Sequence, residues 1–279
     1  MLEPGQLGQH RNDLAQTLKS LRKQAGLTGD RLASRCNMSQ SKVSKIETGK
    51  ILPSAFDVEL ILRALEAPAD LIDDVVALAR LANTEFQDIR SLLRKGLDRK
   101  QHELAGLEAS ATRLCYFLPT MITSLISTPE YIRASLGHLP GDASKTVTKK
   151  LDRQAILYNE SRTFTFVLTE SAARWALCPP RIMALQADRL ISLSRLPNVR
   201  IGVLPGGTHI PRGPLNTFTI YDDRIVTAET FGGAIIMRDP RDVEYHLQLF
   251  EFFMSHAQFD DDARGHLEKW ASACRETRL

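Results

Sequence analysis

The chain has 279 residues, 43% of them apolar and 25% charged, with a formal net charge of +3. This composition is typical of a soluble globular protein, and the length is sufficient for two domains. No apolar run approaches the roughly 18 residues that cross a bilayer, and the N-terminal sequence MLEPGQLGQHRND contains no apolar signal core. We therefore expect a cytoplasmic protein.

Cysteine usage excludes two classes of site. The four cysteines lie far apart and form no CxxC pair. A disulfide framework or a zinc site is therefore not expected, and the pattern favours buried thiols at Cys36, Cys115, Cys178 and Cys274.

Positive charge is concentrated at the N-terminus. Residues 1–50 contain nine Lys or Arg against four Asp or Glu, a local net charge of +5, so the remainder of the chain is slightly acidic. A basic N-terminal region in a chain that is otherwise near neutral indicates that this region binds a polyanion such as DNA. We therefore predict association with the nucleoid.

Two helices are predicted first. Leu14, Leu18 and Leu21 recur at helical spacing, and Gly26 ends this first helix. Thr28 is placed to cap a second helix, TGDRLASRC, whose inner face carries Leu32, Ala33 and Cys36. Asn37 follows, and because Asn tolerates left-handed backbone it suits a tight turn.

The next segment, MSQSKVSKIETGK, predicts a third helix that Ser39 caps and Gly49 ends. On a helical wheel Val43 and Ile46 form a narrow apolar side. The opposite side carries small hydrogen-bonding groups and one cation, at Gln40, Ser41, Ser44, Lys45 and Thr48. Amide, hydroxyl and ammonium groups read base edges in the major groove of DNA, so this face predicts a recognition helix.

Two further helices begin at Pro53-Ser54 and Pro68, which completes a five-helix, all-α domain over residues 1–82. Residues 83–112 are predicted to be a polar helical connector. Its basic amphipathic segment RSLLRKGLDRKQ is either a second nucleic-acid contact or a solvated helix face, and the solvated face is favoured.

From Cys115 onward strand patterns appear, and we predict an α+β domain over residues 113–279. Asp222-Asp223 lies between two of the strands and predicts a hairpin turn, so strands within 216–231 should be antiparallel. The predicted strands are 164–170, 198–205, 216–221 and 224–231, and the interleaved helices are TPEYIRASLG, residues 145–160, PPRIMALQADRLISLSRL, DVEYHLQLFEFFMSHA and ARGHLEKWASACRE.

The runs LRKQAGLT and LASRCNMSQSKVSKIETGK resemble the XRE, or phage-repressor-type, helix-turn-helix family over residues 12–82. The resemblance implies base contacts from Gln40, Ser41 and Lys45, and an ion pair between Arg22 and Glu47, for which a solvated Glu47 is the alternative. The full set of implied DNA-contacting residues is Thr28, Ser39, Gln40, Ser41, Lys42, Ser44, Lys45 and Lys50.

The chain departs from this family at two places. Gly29 stands where the family often has a Gln that donates to phosphate, and Ile51-Leu52 stand where it often has basic residues. Both departures remove phosphate contacts, so we expect modest affinity per domain and a homodimer on DNA, since one small module buries only about 600–1,000 Å².

The second domain resembles the effector domain of actinobacterial WhiJ-like, antitoxin-like regulators over residues 105–276. The segments that carry the resemblance are FLPTMITSLISTPEYIRASL, LDRQAIL, FTFVLTESAARW and LSRLPNVRIGVLPGGTHIPRGPLNTFTIY. Thr123–Thr128 departs from the usual Pro-Gly-Leu-Leu-Gln-Thr, so ligand or partner specificity is expected to differ there. The family implies transcriptional control, often beside a small protein encoded by a neighbouring gene.

No catalytic residue, cofactor or metal site is assigned, and we do not expect an enzyme. The loop at residues 205–209 lacks the GK[ST] ending of a phosphate loop and predicts a turn. His246 and His256 lack the close spacing of a metal pair. Phe250, Phe252, Phe253 and Trp270 are predicted to pack on the sheet, with a dimer surface or a ligand pocket as alternatives.

Together these patterns predict a dimeric, sequence-specific transcriptional regulator of α+β class. Its second domain is expected to sense a small protein in preference to a metabolite, because no phosphate cradle or Cys/His cluster indicates a particular ligand. The alternative is an antitoxin-like interaction module in which DNA binding is secondary or lost.

Overall fold

The structure, a computed structural model, describes residues 7–88, 105–138 and 142–277. The chain divides into two compact units. Unit 1 comprises residues 1–88 and 235–243, and unit 2 comprises residues 89–234 and 244–279.

Five helices form most of unit 1. Each of the predicted helices is present, and their side chains enclose one apolar core that includes Leu14, Leu18, Leu32, Ile46 and Ile61. The helices are α1 (Leu7–Gln24), α2 (Gly29–Arg35), α3 (Gln40–Glu47), α4 (Ala55–Ala64) and α5 (Ala69–Asn83).

Local sequence explains where these helices begin and end. Ser54 and Asp57 form a capping box at the start of α4, in which each side chain accepts a hydrogen bond from the other residue's backbone N–H. Asn37 has a φ of 53°, so the left-handed turn predicted between α2 and α3 is confirmed. Gly26 and Gly49 both have a φ of 66°, which an L side chain rarely adopts, and they follow α1 and α3 as helix-ending residues.

A short segment from far along the chain completes unit 1. Strand β1 (Thr84–Asp88) is hydrogen-bonded to strand β7 (Gly233–Met237). Beyond β7, the buried Asp239 carboxylate accepts a hydrogen bond from the Ala55 N–H at 2.8 Å and from the Arg241 N–H at 3.0 Å. Arg241 also pairs with Glu59 of α4 at 3.0 Å. The first free N–H of α4 is thus satisfied by a residue 184 positions away.

Unit 2 contains a mixed sheet in the order β6-β5-β2-β3-β4. The predicted hairpin at Asp222-Asp223 is confirmed, because β5 and β6 pair antiparallel on either side of it. Strand β2 is parallel to β3 and antiparallel to β5. The strands are β2 (Arg113–Leu118), β3 (Thr163–Thr169), β4 (Val199–Leu204), β5 (Phe218–Tyr221) and β6 (Ile225–Thr230).

Most helices of unit 2 fall where the sequence predicted helical segments, but the short helix at Glu170–Arg174 was not predicted and begins at the last residue of the predicted strand 164–170. Two short 3-10 turns, Ser124–Ile126 and Gln154–Tyr158, adjoin them, and residues 105–110 are also helical. The helices are α6 (Pro129–Leu136), α7 (Ser144–Arg153), α8 (Glu170–Arg174), α9 (Pro180–Leu193), α10 (Pro240–His256), whose residues up to Val243 belong to unit 1, and α11 (Asp260–Glu276).

The structure differs from the sequence prediction in its strands. The helical connector predicted for residues 83–112 contains strand β1, whose partner β7 lies far away in sequence and was not foreseen. Strand β2 was also missed, because its residues after Arg113 are buried on both faces and show no alternation of apolar and polar side chains. The basic segment RSLLRKGLDRKQ, residues 90–101, lies outside the described residues.

Buried thiols are confirmed at Cys36, Cys115 and Cys178, while Cys274 is half-buried, and all four are free. Burial raises the pKa of Cys115 to about 11. Within the described ranges, no helix is both long and apolar enough to span a membrane.

Replacing Asp239 tests its role at the start of α4. We expect Asp239→Ala to lower the free energy of unfolding of unit 1 by about 1–3 kcal/mol, because the buried Ala55 N–H loses its acceptor. Chemical denaturation of the full chain measures the change. Asp73→Ala, which removes an exposed carboxylate from α5, is the matched control and should alter stability little. Equal effects from both variants would contradict the capping role.

Candidate nucleic-acid interface

Helix α3 presents two chemically distinct faces. Val43 and Ile46 are only 1% and 0% exposed and lie in the core of unit 1 with Leu32 and Cys36. The residues predicted to read bases are all exposed to solvent, at Gln40, Ser41, Ser44 and Lys45. The side of the helix that carries them is therefore fixed by the burial of the opposite side.

An ion pair ties α3 to α1. The Arg22 guanidinium donates to both Glu47 carboxylate oxygens, at 2.6 and 2.8 Å, so the predicted pair is confirmed. The same guanidinium donates to the Leu27 carbonyl at 2.7 Å, in the turn before α2. The hydrogen bond to Glu47 is the main cause of a raised pKa at Arg22. A planar, bidentate pair of this kind restricts the orientation of α3 as well as its position.

Thr28 and Ser39 act as helix caps in the structure. The Thr28 hydroxyl accepts from the Arg31 N–H at 3.3 Å, and the Ser39 hydroxyl accepts from the Lys42 N–H at 3.2 Å. Both side chains are exposed and stand at the N-termini of α2 and α3, where helix N–H groups favour an approaching phosphate.

Lys42 is oriented differently from the other predicted contacts. Its ammonium group lies 2.7 Å from an Asp57 carboxylate oxygen, in the capping box of α4. A phosphate contact by Lys42 would have to compete with this pair. Lys45 and Lys50, by comparison, lie exposed on α3 and just beyond it. The structure thus brings the predicted residues of α3 together on one surface and draws Lys42 toward α4.

The two departures from the helix-turn-helix pattern have different structural settings. Ile51 and Leu52 are half-buried and pack against the core of unit 1, so apolar side chains here serve the fold. Gly29 begins α2, and a Cβ atom added there would meet nothing within 4 Å. The position therefore has room for a longer side chain.

Two positioning residues were not foreseen from the sequence. Asp57 binds Lys42 and caps α4, and the Ser54-x-x-Asp57 spacing was a signal that could have identified it. Asp239 gave no local signal, since its partner Ala55 is distant in sequence.

The predicted turn at residues 205–209 is also present. Gly207 has a φ of 83°, and the Gly206 N–H donates to a Glu170 carboxylate oxygen at 2.6 Å. This pair contributes to the lowered pKa of Glu170, after the larger effect of its hydrogen bond with Arg174.

Comparisons with known proteins match both parts of the chain. A family model described as "Domain of unknown function (DUF5753)" matches residues 101–269, and one described as "Helix-turn-helix domain" matches residues 13–83. The second match confirms the helix-turn-helix prediction and supports DNA binding. No curated protein matches the sequence.

Among solved structures, the chain is similar to TrmBL2, an archaeal chromatin protein whose structure is described as showing a novel mode of DNA binding. The identity is 12% and the TM-score 0.34, over 64% of this chain and 53% of that one. The chain thus spans about half the length of that protein, and the TM-score is too low to support a functional comparison.

The anchoring of α3 can be tested at Ile46. We expect Ile46→Ala to lower the free energy of unfolding by about 2–5 kcal/mol, because a fully buried side chain leaves a cavity. Ile51→Ala removes the same atoms from a half-buried site and should cost less. Thermal unfolding of both full-length variants, followed by circular dichroism, provides the comparison. Ile46→Ala melting no lower than Ile51→Ala would contradict the orientation of α3 described above.

Proposed function

The chain belongs to the DUF5753 family, and from its helix-turn-helix domain and the geometry of α3 we propose that it is a sequence-specific, DNA-binding transcriptional regulator. The observation that carries this proposal is the shared exposure of Gln40, Ser41, Ser44 and Lys45 on one face of a helix whose opposite face is buried. An α-helix fits the major groove, where base edges present a distinct pattern of donors and acceptors.

Each exposed side chain has a chemically suitable role in DNA binding. The Gln40 amide can donate and accept together, which matches the adenine edge, and the Lys45 ammonium can donate to guanine. The Ser41 and Ser44 hydroxyls can bind either a base or a phosphate. Thr28, Ser39 and Lys50 flank this face and are proposed to bind the DNA backbone.

We expect the regulator to act as a homodimer. One small module buries about 600–1,000 Å² on DNA, and here Gly29 and Ile51-Leu52 provide no phosphate donor from their side chains. Lys42 is already paired with Asp57, so it must break this pair before it can contact a DNA phosphate. Two modules reading half-sites about 10 base pairs apart would supply the missing contacts.

Unit 2 is proposed to bind a ligand or partner that tunes operator affinity. A helix-turn-helix needs no α+β partner of this size to read DNA, and the resemblance to WhiJ-like, antitoxin-like regulators favours a small protein from a neighbouring gene. Binding would change operator affinity by a coupling free energy, and the operator would change partner affinity by the same factor. Such a regulator would act in the cytoplasm, on the nucleoid.

Footprinting the DNA upstream of the chain's own gene tests the proposal. We expect two protected half-sites separated by one helical turn, with affinity that falls steeply as salt rises because bound lysines release counterions. Protection without two-fold spacing would contradict the dimer. Absence of any protected site, together with capture of a small protein, would favour the alternative of an interaction module that has lost DNA binding.

The role of Gln40 gives a prediction about specificity. Gln40→Ala should weaken operator binding by about 1–3 kcal/mol and relax preference at one base pair. Lys50→Ala should weaken all sequences similarly, since a phosphate contact carries no base information. Binding to the operator and to single-base variants of it, measured by fluorescence anisotropy, separates the two effects. Gln16→Ala, at an exposed position of α1, is the control, and equal losses at Gln16 and Gln40 would overturn the assignment.

The open space at Gly29 gives a gain-of-function prediction. Gly29→Gln should strengthen binding to all DNA sequences by about 0.5–1.5 kcal/mol, because its amide adds one neutral hydrogen bond to phosphate. Gly29→Ala separates this contact from the general benefit of replacing a helical glycine. The same anisotropy titrations apply. If the Ala and Gln variants bind alike, α2 does not approach the backbone as proposed.

A further inference from the structure

Unit 2 contains a cavity of about 190 Å³. Strands β2, β5 and β6 line one side, and the 3-10 turn at Ser124–Ile126 with helices α6 and α7 lines the other. This volume is below the roughly 300–1,000 Å³ of pockets for drug-sized ligands, so the cavity suits a compact molecule.

The floor of the cavity is one face of the sheet. Tyr116 is directly opposite Thr219, and in the same ladder Tyr221 and Leu114 are paired, so alternate residues of β2 and β5 point to the same side. Thr217 extends this row, and its carbonyl accepts from the Glu229 N–H at 2.9 Å. The floor therefore carries four hydroxyl-bearing side chains, of which the two tyrosines also belong to the main core of unit 2, at Tyr116, Thr217, Thr219 and Tyr221.

A buried ion pair forms part of the wall. Arg153 donates to both carboxylate oxygens of Glu108, and the Tyr116 hydroxyl lies 3.3 Å from one of them. The two charged side chains are only 11% and 2% exposed. Burial opposes the charge on Arg153, but the hydrogen bonds and charge of Glu108 raise its pKa overall. Burial, followed by the charge of Glu108, raises the pKa of Tyr116, so its phenol stays protonated and can donate.

Several hydroxyl groups of the lining have no hydrogen-bond partner among the residues that the structure describes. They belong to two segments on opposite sides of the cavity. One is the turn after β2, and the other is strand β5 together with the residue before it. The four side chains are Thr123, Ser124, Thr217 and Thr219. A polar group left unpaired on ligand binding costs about 1–3 kcal/mol, so an apolar occupant is disfavoured.

The formal charges of the lining balance, with Glu108 and Glu229 against Lys150 and Arg153. A negatively charged ligand would be repelled by the two carboxylates, and a positively charged ligand would be repelled by the two basic side chains. A neutral ligand is repelled by neither pair. We propose that this cavity binds a small, neutral polyhydroxylated compound of monosaccharide size, held by the hydroxyl groups of Ser124, Thr217 and Thr219.

Binding at this cavity would make unit 2 a sensor of a small molecule, and that regulatory consequence rests on the proposed function. The sequence favoured a protein partner because no phosphate cradle or Cys/His cluster was visible. The hydroxyl-lined cavity identifies a different ligand chemistry, one that needs neither of those features.

Direct binding measurements on the full chain test the site. The probes are neutral monosaccharides and cyclic polyols, including D-glucose, D-ribose and myo-inositol, with D-gluconate and D-glucosamine as charged counterparts. Isothermal titration calorimetry should show binding of at least one neutral probe and weaker binding of the charged ones. Failure of every neutral probe, or tighter binding of a charged one, overturns the proposal.

Variants locate the binding. Thr219→Val keeps the side-chain shape but removes the hydroxyl, and affinity for the neutral probe should fall about ten-fold. Thr165→Val is the control, since Thr165 lies on β3 and does not line the cavity. Ser124→Ala, on the opposite wall, provides a second test if Thr219→Val folds poorly. Wild-type affinity in folded Thr219→Val and Ser124→Ala places the ligand elsewhere and overturns the assignment.

Operator titrations with and without the bound probe separate this site from its regulatory role. A change in operator affinity supports both the site and its role as a sensor. If the probe binds with the predicted loss in Thr219→Val but operator affinity is unchanged, the binding site stands and its regulatory role is refuted. If no operator is bound at all, the DNA-binding proposal fails. The calorimetric titrations still test ligand binding in the cavity, because they do not depend on DNA.

Discussion

Burial of Val43 and Ile46 is the constraint on which the DNA-binding surface depends. A helix of eight residues can rotate about its axis unless its apolar side is fixed, and these two side chains are fixed in the core of unit 1. Because residues three or four apart share a helix face, placing Ile46 inside places Gln40, Ser41 and Ser44 outside. The polar surface is thus a consequence of packing on the other side.

Polar contacts then define the position of this helix along its axis. The Arg22–Glu47 pair connects its C-terminal end to α1, and Lys42 connects its first turn to Asp57 at the start of α4. Asp57 belongs to a helix terminus that also depends on Asp239, through the Ala55 N–H. A chain of short-range contacts therefore runs from the surface helix to a segment beyond strand β7, all within unit 1.

Helical periodicity and caps made much of unit 1 predictable from sequence. Thr28, Ser39 and Asn37 carry local signals, because a cap or a left-handed turn is specified by one residue and its neighbours. The Asp239 contact could not be predicted this way, since nothing near Ala55 indicates a partner 184 residues away. Strand β2 was missed for a different reason: buried on both faces, it lacks the alternation by which half-buried strands are recognised.

Strand β5 lies within the sequence NTFTIY, whose alternate side chains face opposite sides of the sheet, and one of these sides lines the cavity of unit 2. Phe218 and Ile220 point to one side of β5, where Phe218 is 5.2 Å from the Phe117 ring, and that ring in turn stacks 4.1 Å from Phe253 of α10. Thr217, Thr219 and Tyr221 point to the other side. Aromatic packing buries Phe218 and Phe253 on the first side, and on the second side Tyr116 and Tyr221 belong to the main core of unit 2. The strand therefore contributes to packing on both faces, and on the second face Thr217 and Thr219 join the two tyrosines in lining the cavity.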